Sequence, residues 1–248
     1  MADDCFPSRR PIAGLFRKTA NAAVRVAVRL DIHPNTISTF SLVVSAGAAV
    51  CFWRSGTHPA LLIAAPALCH LRLWFNMLDG MVAIASGKTS RTGEIFNEFP
   101  DRVSDVLILA GVAHSGLCSP VAGYWAALLA FFTAYTGTLG QAVGARREYG
   151  GIMSKPWRMV ALHVGAWTAL ALGSGRRFAG LTVLDGTCLA IVAGCVETVV
   201  VRLVRIFRTL REREATGHER ADTDRAHVPD LGRRNSVLPG MAARPSRD

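Results

Sequence analysis

Six apolar stretches follow one another along this 248-residue chain, and their length constrains the fold more than any other feature. Each approaches or exceeds the roughly 20 residues that a helix needs to cross a bilayer. They cover residues 35–54, 59–84, 94–115, 120–144, 157–173 and 180–204. Half of all residues are hydrophobic, as is typical of membrane proteins. The sequence therefore predicts an all-α integral membrane protein with six transmembrane helices.

The segments on either side of the apolar stretches differ from them and from each other. Residues 1–33 lack the apolar core of a signal peptide and carry apolar residues at helical spacing, interleaved with Arg and Lys. This pattern predicts a helix in the membrane interface, with an amphipathic helix packed on the protein as an equal alternative. Residues 208–248 show no periodic apolar face and are predicted to be a disordered tail. The membrane domain is accordingly placed at 34–207.

The distribution of basic residues predicts the topology. The net charge is +10, and Lys and Arg occur in residues 1–33, in loops 85–93 and 145–158, and at the C-terminus. Positive loops face the cytoplasm, so we expect an inner or plasma membrane protein with both termini and the site on the cytoplasmic side. Arg176 and Arg177, in a predicted outer loop, count against this placement.

Composition also limits the classes of partner. Aromatic residues are sparse and no nucleic-acid-binding motif occurs, so we expect no nucleic acid partner. The six cysteines lack metal-ligand spacing and predict neither a zinc site nor a disulfide framework.

A polar cluster interrupts the apolar sequence between residues 76 and 105. Ionisable groups at membrane depth are costly and usually mark a functional site. The side chains of Asn76, Asp79, Gly80 and Ala83 share one face of a helix, because they are spaced by three or four residues. A second polar stripe on the next helix contains Glu94, Asn97, Glu98, Asp101 and Asp105. The short loop between the helices predicts that they are antiparallel neighbours.

The chemistry of this cluster favours a hard cation. Carboxylate and amide oxygens, with no His or Cys among them, suit Mg²⁺ or Mn²⁺, and such an ion can clamp a diphosphate. The alternative is a solvated polar helix start without function. Glu94 and Glu98 fit that alternative as well as they fit a functional role. Asp79 and Asp101 fit it poorly, since each adjoins an apolar run.

Basic residues near the ends of the last two spans are candidates for binding a phosphate. Arg146, Arg147, Lys155 and Arg158 surround Gly150-Gly151, a turn that can gather the cations around an anion. Ordinary positive-inside charge is the alternative explanation. Arg202 and Arg205 close the last span, and Arg202 is expected to pair with Glu197 or with a phosphate. The predicted phosphate or acceptor site contains Arg146, Lys155, Arg158, Arg202 and Arg205.

The spacing in this region resembles the signature of the CDP-alcohol phosphatidyltransferases, D-x2-D-G-x2-A-R-x8-G-x3-D-x3-D. The signature positions are occupied here by Asn76, Asp79, Gly80, Ala83, Ile84, Gly93, Asn97 and Asp101. The six-span layout, the preceding helix and the His33-Pro34-Asn35-Thr36 segment extend the resemblance over residues 10–205. Asn76 and Asn97 replace signature aspartates, and Ile84 replaces the arginine.

The resemblance implies roles for individual residues. In that family four aspartates hold two divalent metals, the metals grip the diphosphate of a CDP-linked donor, and the last aspartate is the general base. Asp101 is then the catalytic base and a metal ligand, with Asp79 as a second ligand. Asn76 and Asn97 offer uncharged ligands, which implies weaker metal binding and leaves open one ion or two. Asp105, one turn beyond Asp101, can restore a charge. Gly80, Ala83 and Gly93 are expected at the CDP moiety.

The implied function is a membrane transferase of phospholipid biosynthesis. It moves a phosphatidyl or other substituted phosphate group from a CDP-alcohol, with CDP-diacylglycerol as the expected donor, to an acceptor hydroxyl, and it releases CMP. The expected partners are a CDP-linked lipid or alcohol, a small alcohol or phosphate-bearing acceptor, membrane lipid, and a second copy of the chain in a homodimer. A catalytically weakened or inactive relative and a small cation-binding transporter are the alternatives.

Overall fold

The computed structural model describes residues 11–88 and 91–226. Within these residues the chain forms seven α-helices and two short strands. The helices are α1 Pro11–Arg29, α2 Pro34–Arg54, α3 Leu61–Ala85, α4 Arg91–Ala113, α5 Pro120–Ala142, α6 Lys155–Leu172 and α7 Val183–Ala226. The strands, β1 Arg177–Phe178 and β2 Leu181–Thr182, pair antiparallel between α6 and α7. The predicted helical fold is confirmed, and the small hairpin is the departure from an all-α chain.

Three of the described helices are long and apolar enough to cross a membrane, namely Pro34–Arg54, Leu61–Ala85 and Val183–Glu214. Helices α4, α5 and α6 lie where the sequence predicts the third, fourth and fifth spans. The first half of α4 is polar, and α6 begins with Lys155 and Arg158. The crossing of the membrane by six helices therefore remains a prediction.

The first membrane helix starts at a proline, where the backbone needs no N–H donor. His33 precedes it, and its Nδ1 accepts a hydrogen bond from the backbone N–H of Asn35 at 3.2 Å. The N-cap is therefore His33, and Pro34 occupies the first helical position.

Helix α2 packs against both α3 and α4. The two polar helices were predicted to be direct neighbours, but the backbone contacts of α4 are mainly with α2 and α5. The close approach of α2 and α4 depends on Gly111, where an added Cβ would lie 2.3 Å from the carbonyl oxygen of Ala49. A short loop makes two consecutive helices antiparallel. It does not prevent a third helix from packing between them where small residues allow the backbones to come close.

Two apolar clusters stabilise the bundle. The larger one takes side chains such as Phe52, Leu109, Leu162 and Ile191 from α2, α4, α6 and α7. The smaller one joins Val24 and Ala27 of α1 to residues of α2 and α3, namely Ile37, Leu78 and Val82. One face of α1 is therefore packed on protein. Its position in a membrane interface remains a prediction.

The last helix extends further than the sequence analysis expected. Residues 208–248 were assigned to a disordered tail, whereas α7 continues to Ala226 and residues 227–248 lie outside the described part. Arg208 Nε lies 2.9 Å from Glu212 Oε1, an i,i+4 pair that supports helix on a solvated surface. Helical structure there needs no apolar face, and periodicity alone could not reveal it. The compact bundle itself ends at Ile206.

Candidate active site

Three helices supply the charged and amide side chains of the site. Helix α3 contributes Arg72, Asn76 and Asp79, α4 contributes Asp101 and Asp105, and the first turn of α6 contributes Lys155 and Arg158. The sequence predicted the contributions of α3 and α4 to be close together. Their side chains do meet, although α2 makes the closer backbone contacts.

The carboxylate of Asp101 is held from both sides. Lys155 Nζ donates to Asp101 Oδ2 at 2.5 Å. On the other side, the side-chain N–H of Asn76 donates to Oδ1, and Arg72 Nη2 lies 3.5 Å from the same oxygen. Arg72 Nη2 also donates to the backbone carbonyl of Asp101 at 2.9 Å. The Asp101 side chain is 14% exposed, so a substrate hydroxyl can reach it.

Asp105 lies deeper and is paired with two guanidinium groups. Arg72 Nη1 lies 2.9 Å from Asp105 Oδ1, and Arg158 Nη2 lies 2.7 Å from Oδ2. Removing one member of such a buried network leaves an uncompensated charge, which is strongly destabilising. We predicted Asp105 as a replacement metal ligand. The structure instead engages both of its oxygens with protein cations, and this favours a role in holding Arg72 and Arg158.

Arg72 is a buried residue of the site that the sequence analysis missed. Its side chain is fully buried and bridges Asp101 and Asp105, one helical turn before Asn76. A signal for it was present, because an arginine inside an apolar span is costly and needs a partner. The partners of Arg72 could not be predicted from local spacing, since they lie on another helix.

Asp79 is a buried carboxylate of α3 that is hydrogen-bonded to α2. It is 3% exposed, and its Oδ2 accepts a hydrogen bond from Ser38 Oγ at 2.6 Å. Its Oδ1 is buried and has no hydrogen-bond partner among the described residues. Ser41 donates to Asn76 Oδ1, so the two serines of α2 orient Asn76 and Asp79. These serines were also missed, although their i,i+3 spacing places them on one helix face.

The residues predicted to contact the CDP moiety lie beside an open surface. An added Cβ at Gly80 would meet no atom within 4 Å in the described structure, whereas a packed helix glycine would meet a neighbour. Ala83 and Gly93 are partly exposed, and Asn97, predicted as an uncharged metal ligand, is exposed. The α3 surface at Gly80 therefore offers room for a ligand to approach the backbone.

The sequence suggested that the basic residues of the 145–158 region gather around one anion. In the structure they do not. Lys155 pairs with Asp101, Arg158 with Asp105, and Arg147 with Glu98, so three of the cations each meet a carboxylate of α4. Arg146 is exposed. The acidic stripe of α4 separates these cations because its carboxylates are spaced along the helix.

The two arginines that close the last span have different surroundings. Arg202 Nε donates to the carbonyl oxygen of Gly150 at 2.9 Å, and its Nη1 donates to the carbonyl oxygen of Thr133. We predicted Glu197 or a phosphate as its partner, but Glu197 accepts from the backbone N–H of Ile152. Arg205 Nη1 lies 3.9 Å from Glu148 Oε2 and is half exposed. Arg202 therefore braces the loop after α5, whereas Arg205 reaches solvent.

The donor set of the site has fewer charged oxygens than the family signature. No group of three or more His, Cys, Asp or Glu that could hold a metal occurs in the described ranges 11–88 and 91–226. Asp79 offers a buried oxygen that lacks a partner, and Asn76, on the same helix face, contacts Asp101. Hard cations prefer charged oxygen ligands, and two of the four positions are amides. Asp79 and Asp101 are thus the two carboxylates at the signature positions that could hold a cation.

Comparison with known proteins relates the chain to lipid-synthesising enzymes. No protein-family model matches it. It is 27% identical over 211 residues to the phosphatidylinositol phosphate synthase of Corynebacterium glutamicum, an alignment that covers 81% of this chain and 91% of the relative.

Its fold is similar to that of a solved enzyme, the phosphatidylinositol phosphate synthase of Mycobacterium tuberculosis. The structure with CDP-DAG bound matches with a TM-score of 0.64 at 20% identity, over 77% of this chain and 94% of that one. The complex with manganese and citrate matches with a TM-score of 0.63 at 21% identity, over 76% and 88%. At these identities the match shows the fold, and it agrees with the relationship found by sequence.

Proposed function

Because the chain belongs to the CDP-alcohol phosphatidyltransferase family, we propose that it transfers a phosphatidyl group from CDP-diacylglycerol to a small acceptor alcohol in phospholipid biosynthesis. The observation that carries the proposal is the position of Asp101. This carboxylate is reachable at 14% exposure, while cations and an amide fix both of its oxygens. A general base must be held in place and still contact the proton that it removes.

The reaction follows from this geometry. The acceptor hydroxyl gives its proton to Asp101, and the hydroxyl oxygen forms a bond to the phosphorus that carries the diacylglycerol. The bond from that phosphorus to the bridging oxygen breaks, and CMP leaves with the bridging oxygen. Negative charge increases on the transferred group, and preorganised cations stabilise it. Lys155 is already in place for this, because it contacts the base and is 20% exposed, whereas the buried Arg72 holds the base in position.

The donor is expected to bind along α3. Gly80 leaves open space beside the backbone, and Ala83 and Gly93 are partly exposed next to it. A CDP group can lie there while the acyl chains stay in the bilayer. The related mycobacterial enzyme has CDP-DAG bound, which supports a lipid donor over a small CDP-alcohol.

The acceptor is proposed to be a phosphorylated polyol. The relative from Corynebacterium glutamicum is named for phosphatidylinositol phosphate synthesis, which favours inositol phosphate within this class. Arg146 and Arg205 are exposed enough to contact a phosphate, and Lys155 joins them at 20% exposure. Arg158 and Arg202 are buried and hold the surrounding structure, so their proposed contribution to acceptor binding is indirect.

A divalent cation, Mg²⁺ or Mn²⁺, is proposed as the cofactor. Asp79 and Asp101 would hold it, and its chemical contribution is to neutralise charge on the donor diphosphate. The manganese complex of the related enzyme supports this class of ion.

The membrane arrangement is also a proposal. We propose that α2–α7 form six spans, that α1 lies in the interface, and that both termini and the site lie at the cytoplasmic side of the inner membrane. The basic loops support this orientation. Small residues on the spans would permit a homodimer.

The experiment that tests the function is CMP release by the full chain, purified in detergent or lipid, with CDP-diacylglycerol. The acceptors are inositol phosphate, glycerol phosphate, inositol and serine, each with Mg²⁺, with Mn²⁺ and with a chelator. We expect metal-dependent CMP release with a phosphorylated acceptor. Folded protein that releases no CMP with any acceptor would point to an inactive relative or a different donor.

The role of Asp101 is tested with a matched pair of variants. Asp101→Asn should lower kcat by about 10²–10⁴-fold, since it removes the base. Asp31→Asn is the control, because Asp31 is exposed and has a φ of 51°, which Asn tolerates well. Lys88, at 2.6 Å, lowers the pKa of the Asp31 carboxyl by its hydrogen bond and charge, but such a surface pair contributes little to stability. Retained turnover in Asp101→Asn would remove Asp101 as the base.

A further inference from the structure

We propose that Cys118 and Cys188 are a modification site, at which a disulfide donor converts the two thiols into a bridge. The bridge would fasten the loop between α4 and α5, residues 114–119, to α7. Sequence spacing did not single out this pair, because 70 positions separate the two cysteines. The proposal uses no residue of the candidate active site and does not depend on the proposed function.

The two thiols are in direct contact. Cys118 Sγ donates to Cys188 Sγ at 3.6 Å, and both cysteines are free thiols in the structure. A disulfide places its sulfur atoms about 2.05 Å apart, so these two must approach each other by about 1.5 Å. Rotation about the Cα–Cβ bonds moves sulfur atoms over distances of this order. The pair is therefore positioned to close into a bridge.

Hydrogen bonds that do not involve the thiols hold the loop against the start of α7 and the strand before it. Thr182 Oγ1 donates to the carbonyl oxygen of Leu117 at 2.6 Å. The backbone N–H of Ser119 donates to Asp185 Oδ1. These two bonds lie on either side of Cys118 in the sequence. The loop is thus fixed on α7 by independent contacts, which keep the thiols together before any bridge exists.

A cavity of about 510 Å³ gives access to one of the two thiols. Its lining includes Cys118, and also His114 and Arg177, whose exposure opens the cavity to the surface. Cys118 is 6% exposed, whereas Cys188 is fully buried at 0%. Because a donor can reach only the accessible sulfur, this asymmetry makes Cys118 the thiol that reacts first. Cys188 then resolves the intermediate.

The chemistry is two steps of thiol–disulfide exchange. The Cys118 thiolate attacks one sulfur of the donor disulfide and forms a mixed disulfide, and one donor thiolate leaves. Cys188 loses its proton, its sulfur attacks Cys118 Sγ, and the second donor thiolate leaves. The two protons of the protein thiols pass through solvent to the donor thiolates. Two protein thiols are thereby oxidised to a disulfide, and one donor disulfide is reduced to two thiols.

The surroundings of the pair bear on the rate and the persistence of the bridge. The hydrogen bond with Cys188, together with burial, raises the pKa of the Cys118 thiol. The attacking thiolate is therefore scarce, and exchange in the folded protein is slow. In the proposed topology the loop faces the outside of the cell, where disulfides persist. The reaction is accordingly judged at its end point and not by its rate.

The test is peptide mapping of the full chain, purified in detergent and incubated with oxidised glutathione until the number of free thiols stops changing. The protein is then quenched with acid, unfolded with an alkylating reagent and digested with pepsin. We expect a pair of peptides that joins Cys118 to Cys188 and separates on reduction. Alkylation of both cysteines, a mixed disulfide with glutathione retained at Cys118, or a bridge from Cys118 to another cysteine would overturn the proposal.

Matched variants supply the control. Cys51→Ala removes a half-buried thiol outside the pair and should form the same bridge, whereas Cys188→Ala should form none. Oxidation should raise the melting temperature of the wild type and of Cys51→Ala by about 5 °C or more, because the bridge closes a long loop. Cys188→Ala should show no rise. An equal rise in Cys188→Ala would overturn the assignment. If Cys188→Ala does not fold, the peptide maps of the wild type and of Cys51→Ala still decide the question.

Discussion

Arg158 Nη2 and Asp105 Oδ2 lie 2.7 Å apart, and both side chains are only 2% exposed. This pair connects the first turn of α6 to the middle of α4. Arg158 also donates to Thr133 Oγ1 on α5, at 3.0 Å, so one guanidinium joins three helices. Because Arg72 pairs with the second oxygen of Asp105, the same carboxylate positions the cation that contacts Asp101. The buried network thereby supports the base without touching a substrate.

The first prediction concerns the stability of this network. Arg158→Met should lower the free energy of unfolding by about 3–5 kcal/mol, because it leaves Asp105 buried with one partner fewer. The measurement is thermal unfolding in detergent. Arg146→Met is the matched control, since Arg146 is exposed, and its melting temperature should stay unchanged. Equal melting temperatures for the two variants would show that the pair does not stabilise the bundle.

The second prediction concerns Lys155. Lys155→Met should raise the KM for a phosphorylated acceptor by about 10-fold or more, because a charge-assisted hydrogen bond contributes about 1.5–3 kcal/mol. Lys155→Arg should recover part of the affinity, and Arg177→Met, an exposed site in β1, should behave like the wild type. Steady-state CMP release against acceptor concentration measures the effect. An unchanged KM in Lys155→Met would exclude a contact with the acceptor phosphate.

Much of the fold was predictable because apolar length and helix-breaking residues are local properties. The first membrane helix was placed at 35–54 and runs over Pro34–Arg54, and the sixth apolar stretch became the start of α7. The order of packing was not predictable. Loop length cannot tell that α2 packs against both α3 and α4, since this depends on the contact of Gly111 with Ala49.

Several residues of the site could be predicted from the sequence, whereas the ion pairs and hydrogen bonds between them were less predictable. Spacing identified Asp79 and Asp101, since i,i+3 and i,i+4 intervals fix a helix face. The partners lie far apart in sequence, as Lys155 lies 54 residues after Asp101, and no local pattern links them. For the same reason Arg202 was expected to bind a nearby acidic residue, and instead it donates to carbonyl groups of Thr133 and Gly150.

The third prediction concerns the contact of α2 with α4. Gly111→Ala should destabilise the protein by about 1–3 kcal/mol, since the new methyl group would lie 2.3 Å from the backbone oxygen of Ala49. Gly186→Ala in α7 is the control, because an added Cβ there meets no atom of the described structure within 4 Å. This control should be neutral or slightly stabilising, as a helix loses less entropy on folding with Ala than with Gly. Thermal unfolding of both variants measures the difference. The opposite ranking would refute the close helix contact.

The fourth prediction separates donor binding from folding. Gly80→Leu should leave the melting temperature unchanged or slightly higher, because Gly80 faces open space on a helix. The same change should raise the KM for CDP-diacylglycerol by about 10-fold or more, since the side chain fills the surface on which the CDP group is proposed to lie. Gly186→Leu, which adds the same side chain at an equally open position of α7, should affect neither quantity. The measurements are CMP release against donor concentration in mixed micelles and thermal unfolding of the same preparations. A wild-type KM in Gly80→Leu would place the donor elsewhere on the protein, and a lower melting temperature would mean that Gly80 is packed rather than open.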